Sequence, residues 1–223
     1  MWLLSTDRPG TVHEVILDEL RSVIVAGHAP PAAPIKVDDV AERFHVSRIP
    51  VREALKTLIG EGLVDHAPRA GYTVAQLTRT ELGELYVVRE SLETAALSAA
   101  TQAATAQDDA AVTMAYDALS QAIMDSDARG HHRESRRFHL ALARPCHMPR
   151  LLRMFESAWN ITEPLQPMSH VSREVTTLLH ADHQVMLQAF HARDTAGLLA
   201  TSKLHYRRLH DVVSTIPSTR LRA

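Results

Sequence analysis

The chain has 223 residues, 45% of them hydrophobic and 4% aromatic, with a formal net charge of −2. That length fits one large domain or two small ones, and the near-neutral charge argues against a general polyanion binder while leaving room for a focused basic patch. No apolar run is long enough to span a membrane, the opening MWLLSTDRPG lacks the features of a signal peptide, and Cys146 is the sole cysteine, so an internal disulfide is excluded and a reducing cytoplasm is the expected compartment.

Residues 11–26 place Val12, Val15, Ile16, Leu20, Val23 and Ile24 on one face, the spacing of an amphipathic helix. GHAPPAAP, residues 27–34, breaks it. A short helix is predicted over 37–44 with Val40, Ala41 and Phe44 inward, then a turn at His45 and Val46, then a helix over 47–59. Leu63 and Val64, and then Tyr72 and Val74, read as two short strands joined by the turn APRAG. Three helices followed by a hairpin is the order of a winged helix-turn-helix. Thr78 with Glu81 three residues later has the form of a capping box. Beyond it the pattern is helical over 80–104, 108–127, 129–143, 149–163, 172–193 and 195–216, with Pro or Asp at the interruptions. The predicted fold class is mainly α, with a winged helix-turn-helix over 1–77 and an all-α bundle over 78–223.

Residues 1–77 carry 8 basic and 10 acidic side chains, yet residues 46–56 carry three cations and one anion. In the third predicted helix Val51, Ala54, Leu55 and Leu58 form the buried stripe, while Arg48, Arg52 and Lys56 repeat every four residues on the other side. Ser47 suits the cap, and Pro50 falls in the first turn, where its missing N–H costs little. A helix start bearing N–H groups, a hydroxyl and two guanidiniums suits phosphate oxygens and guanine edges. The plainer alternative is a solvated charged face.

The stretch KVDDVAERFHVSRIPVREALKTLIGEGLVDHAPRAGYTV closely resembles the winged-helix segment of GntR-family bacterial transcription regulators. Val46, Ser47, Arg48, Pro50, Val51, Arg52, Glu53, Ala54, Leu55, Leu58, Gly62, Leu63, Val64, Gly71 and Val74 carry the match. The resemblance implies operator contacts from Arg48 and Arg52, with Ser47 on phosphate. Ile49, Pro50 and Lys56 belong to the same reading surface, and a wing around Pro68 to Gly71, including Arg69, approaches the minor groove or backbone. Ile49 departs from the family pattern, which has Thr there, and HAPPAAP replaces its usual Pro-Gly turn.

Ten of the 14 histidines lie after residue 130. Imidazoles from separate helices of a bundle suit a divalent metal, although a lone helical histidine is ordinarily a surface or hydrogen-bonded core residue. The second half of the chain is similar to the FCD effector domain of the FadR-like branch, through VRESLETAALSAA, Phe138–His139 and the 182–190 segment. That resemblance implies a Zn or Ni site at His139, His183 and His205, with Ser135 standing where the family has an Asp ligand. His180, His191 and His210 are left as non-ligands. Glu134 neighbours Ser135 but is displaced by about 100° around the helix. Arg89 is the candidate for the carboxylate of a small organic acid effector, with a salt bridge to Glu93 as the alternative. Ser135 belongs to the same pocket.

These readings converge on a homodimeric, ligand-responsive regulator, most often a repressor in this family, binding a pseudo-palindromic double-stranded operator and no membrane. The competing reading is a mononuclear metallohydrolase built on the three histidines, with Glu134 beside a metal-bound water as its best support. Against it, the chain has no HExxH motif.

Overall fold

The computed structural model describes residue 4 and residues 10–167, 171–216 and 221–222. The chain folds into two compact units. One holds the described residues up to Thr78, with Asn160–Leu165 and the described end of the chain; the other holds Arg79–Trp159 and the described residues from Gln166 onward to Ile216.

The first unit contains α1 (Val12–Val25), β1 (Pro34–Ile35), α2 (Val37–Arg43), α3 (Arg48–Gly60), β2 (Val64–Ala67) and β3 (Gly71–Val74). A reciprocal capping box starts α1. The Thr11 side chain accepts from the Glu14 N–H, and the Glu14 carboxylate accepts from the Thr11 N–H at 2.8 Å. The three-helix order and the hairpin follow the predicted pattern. β1 does not: it lies at the end of the segment read as a simple break. Ile35 pairs with Tyr72 and Pro34 with Thr73, giving an antiparallel sheet of order β1-β3-β2. Proline is tolerated there because β1 is an edge. β2 also runs further than Leu63–Val64, because backbone pairing continues to Ala67 opposite Gly71 although only Val64 of that strand is buried.

One apolar cluster anchors these elements. Ile16, Leu20 and Ile24 of α1 meet Val51, Ala54, Leu55 and Leu58 of α3, with Ile35 and Val74 closing the sheet side. Each Val, Leu or Ile among them contributes about 1.5–3 kcal/mol when fully buried, so the inner face of α3 is held firmly while its outer face stays in solvent. The helix stops at a double reverse bond. The Leu63 N–H donates to the Leu58 carbonyl and the Gly62 N–H to that of Ile59, with Gly62 at φ +73° in the left-handed region that glycine enters without cost.

The second unit holds helices and no strand among its described residues: α4 (Arg79–Ala103), α5 (Ala106–Met124), α6 (Ala128–Ala143), the part of α7 (Pro149–Thr162) up to Trp159, α8 (Arg173–His191) and α9 (Thr195–Thr215). α5 begins two residues before the predicted start because Thr105 and Asp108 form a second capping box. Asp127, Ser172 and Asp194 cap α6, α8 and α9. The segment between α6 and α7 winds into a short 3-10 turn, Arg144–Cys146, ended by His147 at φ +53°. α4 packs on α9 and α6, and α5 packs on α6 and α8. Arg193 forks onto Asp109 at 2.7 and 2.8 Å, tying the end of α8 to the start of α5. Arg79 donates to the carbonyls of Val213 and Ile216, closing the C-terminal end of α9 against the start of α4. No described helix is long and apolar enough to cross a membrane.

Candidate DNA-reading face and buried histidine cluster

The buried stripe of α3 determines what its opposite side presents. Arg48, Ile49, Arg52 and Lys56 are all exposed, and Pro50 is half-buried in the first turn. Ser47 sits at the cap position with extended backbone, but its hydroxyl makes no capping hydrogen bond. The expected cap is therefore absent. The side chain is exposed, and the first-turn N–H groups keep no side-chain acceptor from it.

The three cations differ. Arg48 is ion-paired with Asp38 of α2, both side chains being 64% exposed. Lys56 contacts Glu53 at 2.8 Å. Arg52 has no ion pair among the described residues. Ile49 is 72% exposed, above every other large hydrophobic side chain described as exposed. At the hairpin tip Arg69 is exposed at φ +71° and Gly71 lies at φ +84°, so both wing residues adopt left-handed backbone. A side chain at position 71 would meet no neighbour, but its backbone would be strained.

In the second unit α6, α8 and α9 bring His139, His183 and His205 together, all buried, with one ring nitrogen from each lying within 4.8 Å of the others. His139 Nε2 and His183 Nε2 are 3.2 Å apart. Burial pushes the His183 and His205 imidazoles below their ordinary pKa, His183 furthest, so both are neutral at pH 7. The other side of the cluster is anionic. Glu93 Oε1, on α4, accepts from His139 Nδ1 at 2.6 Å with neither side chain exposed. Burial pushes the Glu93 carboxyl up, but the adjoining His139, together with Tyr206, outweighs it and holds the pKa below the usual range. Asp182 Oδ2 lies 3.4 Å from His205 Nδ1, and its Oδ1 is held by Arg208.

The other candidates fall elsewhere. Ser135 is half-buried one turn before His139 on α6. Glu134 is buried but engaged by Arg133 Nε at 2.7 Å and Arg137 Nη1 at 3.5 Å, so the carboxylate required by a hydrolase is tied to surface arginines. Arg89 is 2% exposed, with its guanidinium carbon 3.2 Å from the Trp159 ring centroid and 4.7 Å from that of Tyr86. Its i, i+4 partner in the sequence reading, Glu93, gives Oε1 to His139. A cavity of about 340 Å³ in this unit is lined by Ile123, Asp127, His131, Arg173 and Thr176 among others, and not by Arg89 or Ser135. His180 meets Ser120 at 3.1 Å and His191 meets Thr113 at 3.2 Å, both outside the cluster.

Sequence reasoning missed Glu93, Asp182 and Trp159. The i, i+4 rule assigned Glu93 to Arg89, and no local pattern links it to a histidine 46 residues away. Asp182 carried a weak signal, lying next to His183 in the quoted 182–190 segment.

Two family models match the chain: the FCD domain over residues 84–208, and the bacterial regulatory proteins of the gntR family over residues 13–74. The HTH-type transcriptional regulator McbR of Escherichia coli (strain K12) is 30% identical over 142 residues, 64% of each chain. A protein named as probable D-xylose utilization operon transcriptional repressor of Paenarthrobacter nicotinovorans is 30% identical over 152 residues, 67% of this chain and 64% of that one. The chain thus spans just under two thirds of the length of these relatives. The solved structure of E. coli McbR/YncC superposes with a TM-score of 0.82 at 24% identity, covering 92% of this chain and 98% of that one. With more than half of its length matched by one family model and its winged segment by the other, the chain belongs to the gntR family of bacterial regulatory proteins and carries an FCD domain.

Proposed function

We propose that the chain is a ligand-responsive transcription regulator, acting as a repressor, that reads a pseudo-palindromic double-stranded operator as a homodimer. The observation that carries this is the outer face of α3. Arg48, Ile49 and Arg52 stand in solvent on a helix whose inner face is locked into the core. Docked in a major groove, Arg52 offers its fork to guanine O6/N7, and the Ser47 hydroxyl with the first-turn N–H groups meets phosphate. Arg48 exchanges Asp38 for a phosphate or base edge; so exposed a pair is worth about 0–1 kcal/mol, so the exchange costs little. Pro50 stiffens the helix start, Lys56 extends the cationic row, and Arg69 with Gly71 brings the wing to the backbone or minor groove. A gel-shift titration against the upstream region of its own gene tests the reading. The expected result is a specific band that weakens steeply with salt; binding no tighter than to unrelated duplex refutes it.

Ile49 directs a bare apolar side chain at the same groove, where the thymine methyl is the matching surface. Selection from a random duplex library is expected to enrich thymine at one half-site position with the unsubstituted chain and to lose that enrichment with Ile49→Thr. Identical selected sites for both would sink the idea.

In the second unit, we infer a divalent metal, Zn or Ni, held by His139, His183 and His205. The donor set fits. Three buried imidazoles, two of them driven neutral by burial, present convergent nitrogens. The 3.2 Å between His139 and His183 Nε2 compares with about 3.3 Å between ligand nitrogens around tetrahedral zinc. Ser135 adds no charge, so a bound ion would keep open positions and attract a carboxylate. Arg89 and Ser135 are the proposed protein contacts of a small organic acid effector, Arg89 already positioned by Trp159 and Tyr86. Coupling of acid to operator affinity is reciprocal and typically worth about 1–3 kcal/mol. Nothing favours the hydrolase reading, since Glu134 is committed to Arg133 and Arg137.

A further inference from the structure

The histidine cluster has an anionic residue that its direct donor set lacks. The three imidazoles bring no negative charge, and Ser135 brings none. A dication among neutral ligands in a buried site is poorly compensated. Yet Glu93, on a fourth helix, is fully buried and makes a 2.6 Å contact with the far nitrogen of His139. A carboxylate at that distance accepts the Nδ1 proton. This defines the tautomer: Nδ1 carries hydrogen, and Nε2, the atom facing His183, carries the lone pair. Asp182 is a weaker counterpart, because its Oδ1 is taken by Arg208 and its Oδ2 stands 3.4 Å from His205.

We propose that Glu93 is the positioning residue of the metal site, supplying through His139 both the ligand tautomer and the negative charge that no direct ligand provides. The proposal rests on the three-histidine reading above. It assigns a role to a buried carboxylate that would otherwise be a costly way to fill the inside of α4. It also makes α4 part of the site, so that the helix bearing Arg89 and Glu93 responds to what the histidines hold. Carboxylate–histidine–metal relays of this kind change metal affinity by about 10–100-fold when the carboxylate is removed.

The full chain, stripped with chelator, is titrated with zinc in competition against a chromophoric chelator. Glu93→Gln keeps an acceptor for Nδ1 but removes the charge. It is expected to weaken zinc binding about 10–100-fold with unchanged far-ultraviolet circular dichroism. Ser135→Asp offers the ion a direct carboxylate one turn from His139, and it is expected to raise zinc affinity more in the Glu93→Gln background than in the unsubstituted chain, because only there is the charge missing; a purely structural role for Glu93 predicts equal gains. Unchanged affinity of Glu93→Gln in a chain that binds zinc overturns the role of Glu93 alone, as does an equal gain from Ser135→Asp in both backgrounds. Absence of zinc binding by the unsubstituted chain overturns the metal reading together with it. Should Glu93→Gln not fold, nitrogen-15 spectra of the unsubstituted metal-free chain decide: a proton on His139 Nδ1 supports the proposal, and one on Nε2 overturns it.

Discussion

Replacing Arg52 by Ala is expected to weaken specific operator binding by about 1–3 kcal/mol, roughly 5- to 150-fold, and to relax base preference at one half-site position. Arg52 is exposed and carries no ion pair among the described residues, so its removal leaves the core of the first unit untouched. The loss is then read as lost recognition and not as unfolding. Arg52→Lys keeps the charge but not the planar fork, and is expected to recover the salt dependence without the base preference. Arg48→Ala behaves differently. Its partner Asp38 is freed, and if Arg48 meets phosphate, affinity falls about equally for all sequences and the slope of log K against log salt drops by about one. In a homodimer both effects are felt in both half-sites. Fluorescence anisotropy of a labelled duplex at several salt concentrations separates them. Unchanged affinity in both variants would remove α3 from the interface.

Removing metal and lowering pH are expected to act on stability in the same direction. At 100 times its dissociation constant a bound ion stabilises by about 2.7 kcal/mol. That corresponds to a thermal shift of several degrees for a domain of this size, at about 2–4 °C per kcal/mol. His183→Ala is expected to abolish the shift. In the metal-free chain the histidines add a pH dependence of definite sign. Burial drives the His131 pKa down from 6.5 to about 4, and those of His183 and His205 are lowered by the same cause. Unfolded histidine takes up a proton near pH 6.5, while the folded groups resist it. The unfolded state therefore binds more protons between about pH 6.5 and 4, and stability falls as pH falls through that window. His131 alone contributes on the order of 3 kcal/mol across it. Protons also compete with metal for the same nitrogens, so the metal-induced shift shrinks toward pH 5. Circular dichroism melts at pH 7.5 and 5, with zinc or with chelator, measure both. A melting temperature indifferent to pH and to zinc would remove the buried neutral histidines and their ion together.

Much of the architecture was legible because it repeats. The inward stripe of α1 and of α3 appears as i, i+3, i+4 spacing, and the cations of α3 follow by exclusion from that stripe. The hairpin announced itself through APRAG between two apolar pairs. β1 was invisible because two residues have no period, and it is a strand only by pairing with the edge of β3. The start of α5 lies two residues ahead of its expected position because the capping box of Thr105 and Asp108 sets it, a signal that is local to the sequence.

The histidine cluster divides along the same line. Residue type and family pattern singled out His139, His183 and His205, and each lies on the buried side of its own helix. Which nitrogen faces the partner histidines is another matter. It depends on Glu93, which i, i+4 spacing offers only as a partner for Arg89. Sequence by itself determined the helical stripes, the exposed cations and the histidines, because side-chain period and residue type are local properties. Only the tertiary structure decided that Ser47 makes no cap bond, that Arg48 is paired to Asp38, and that a carboxylate on α4 meets a histidine on α6. Those contacts depend on how helices distant in sequence pack, and packing is set by the summed burial of both faces, which no single segment encodes.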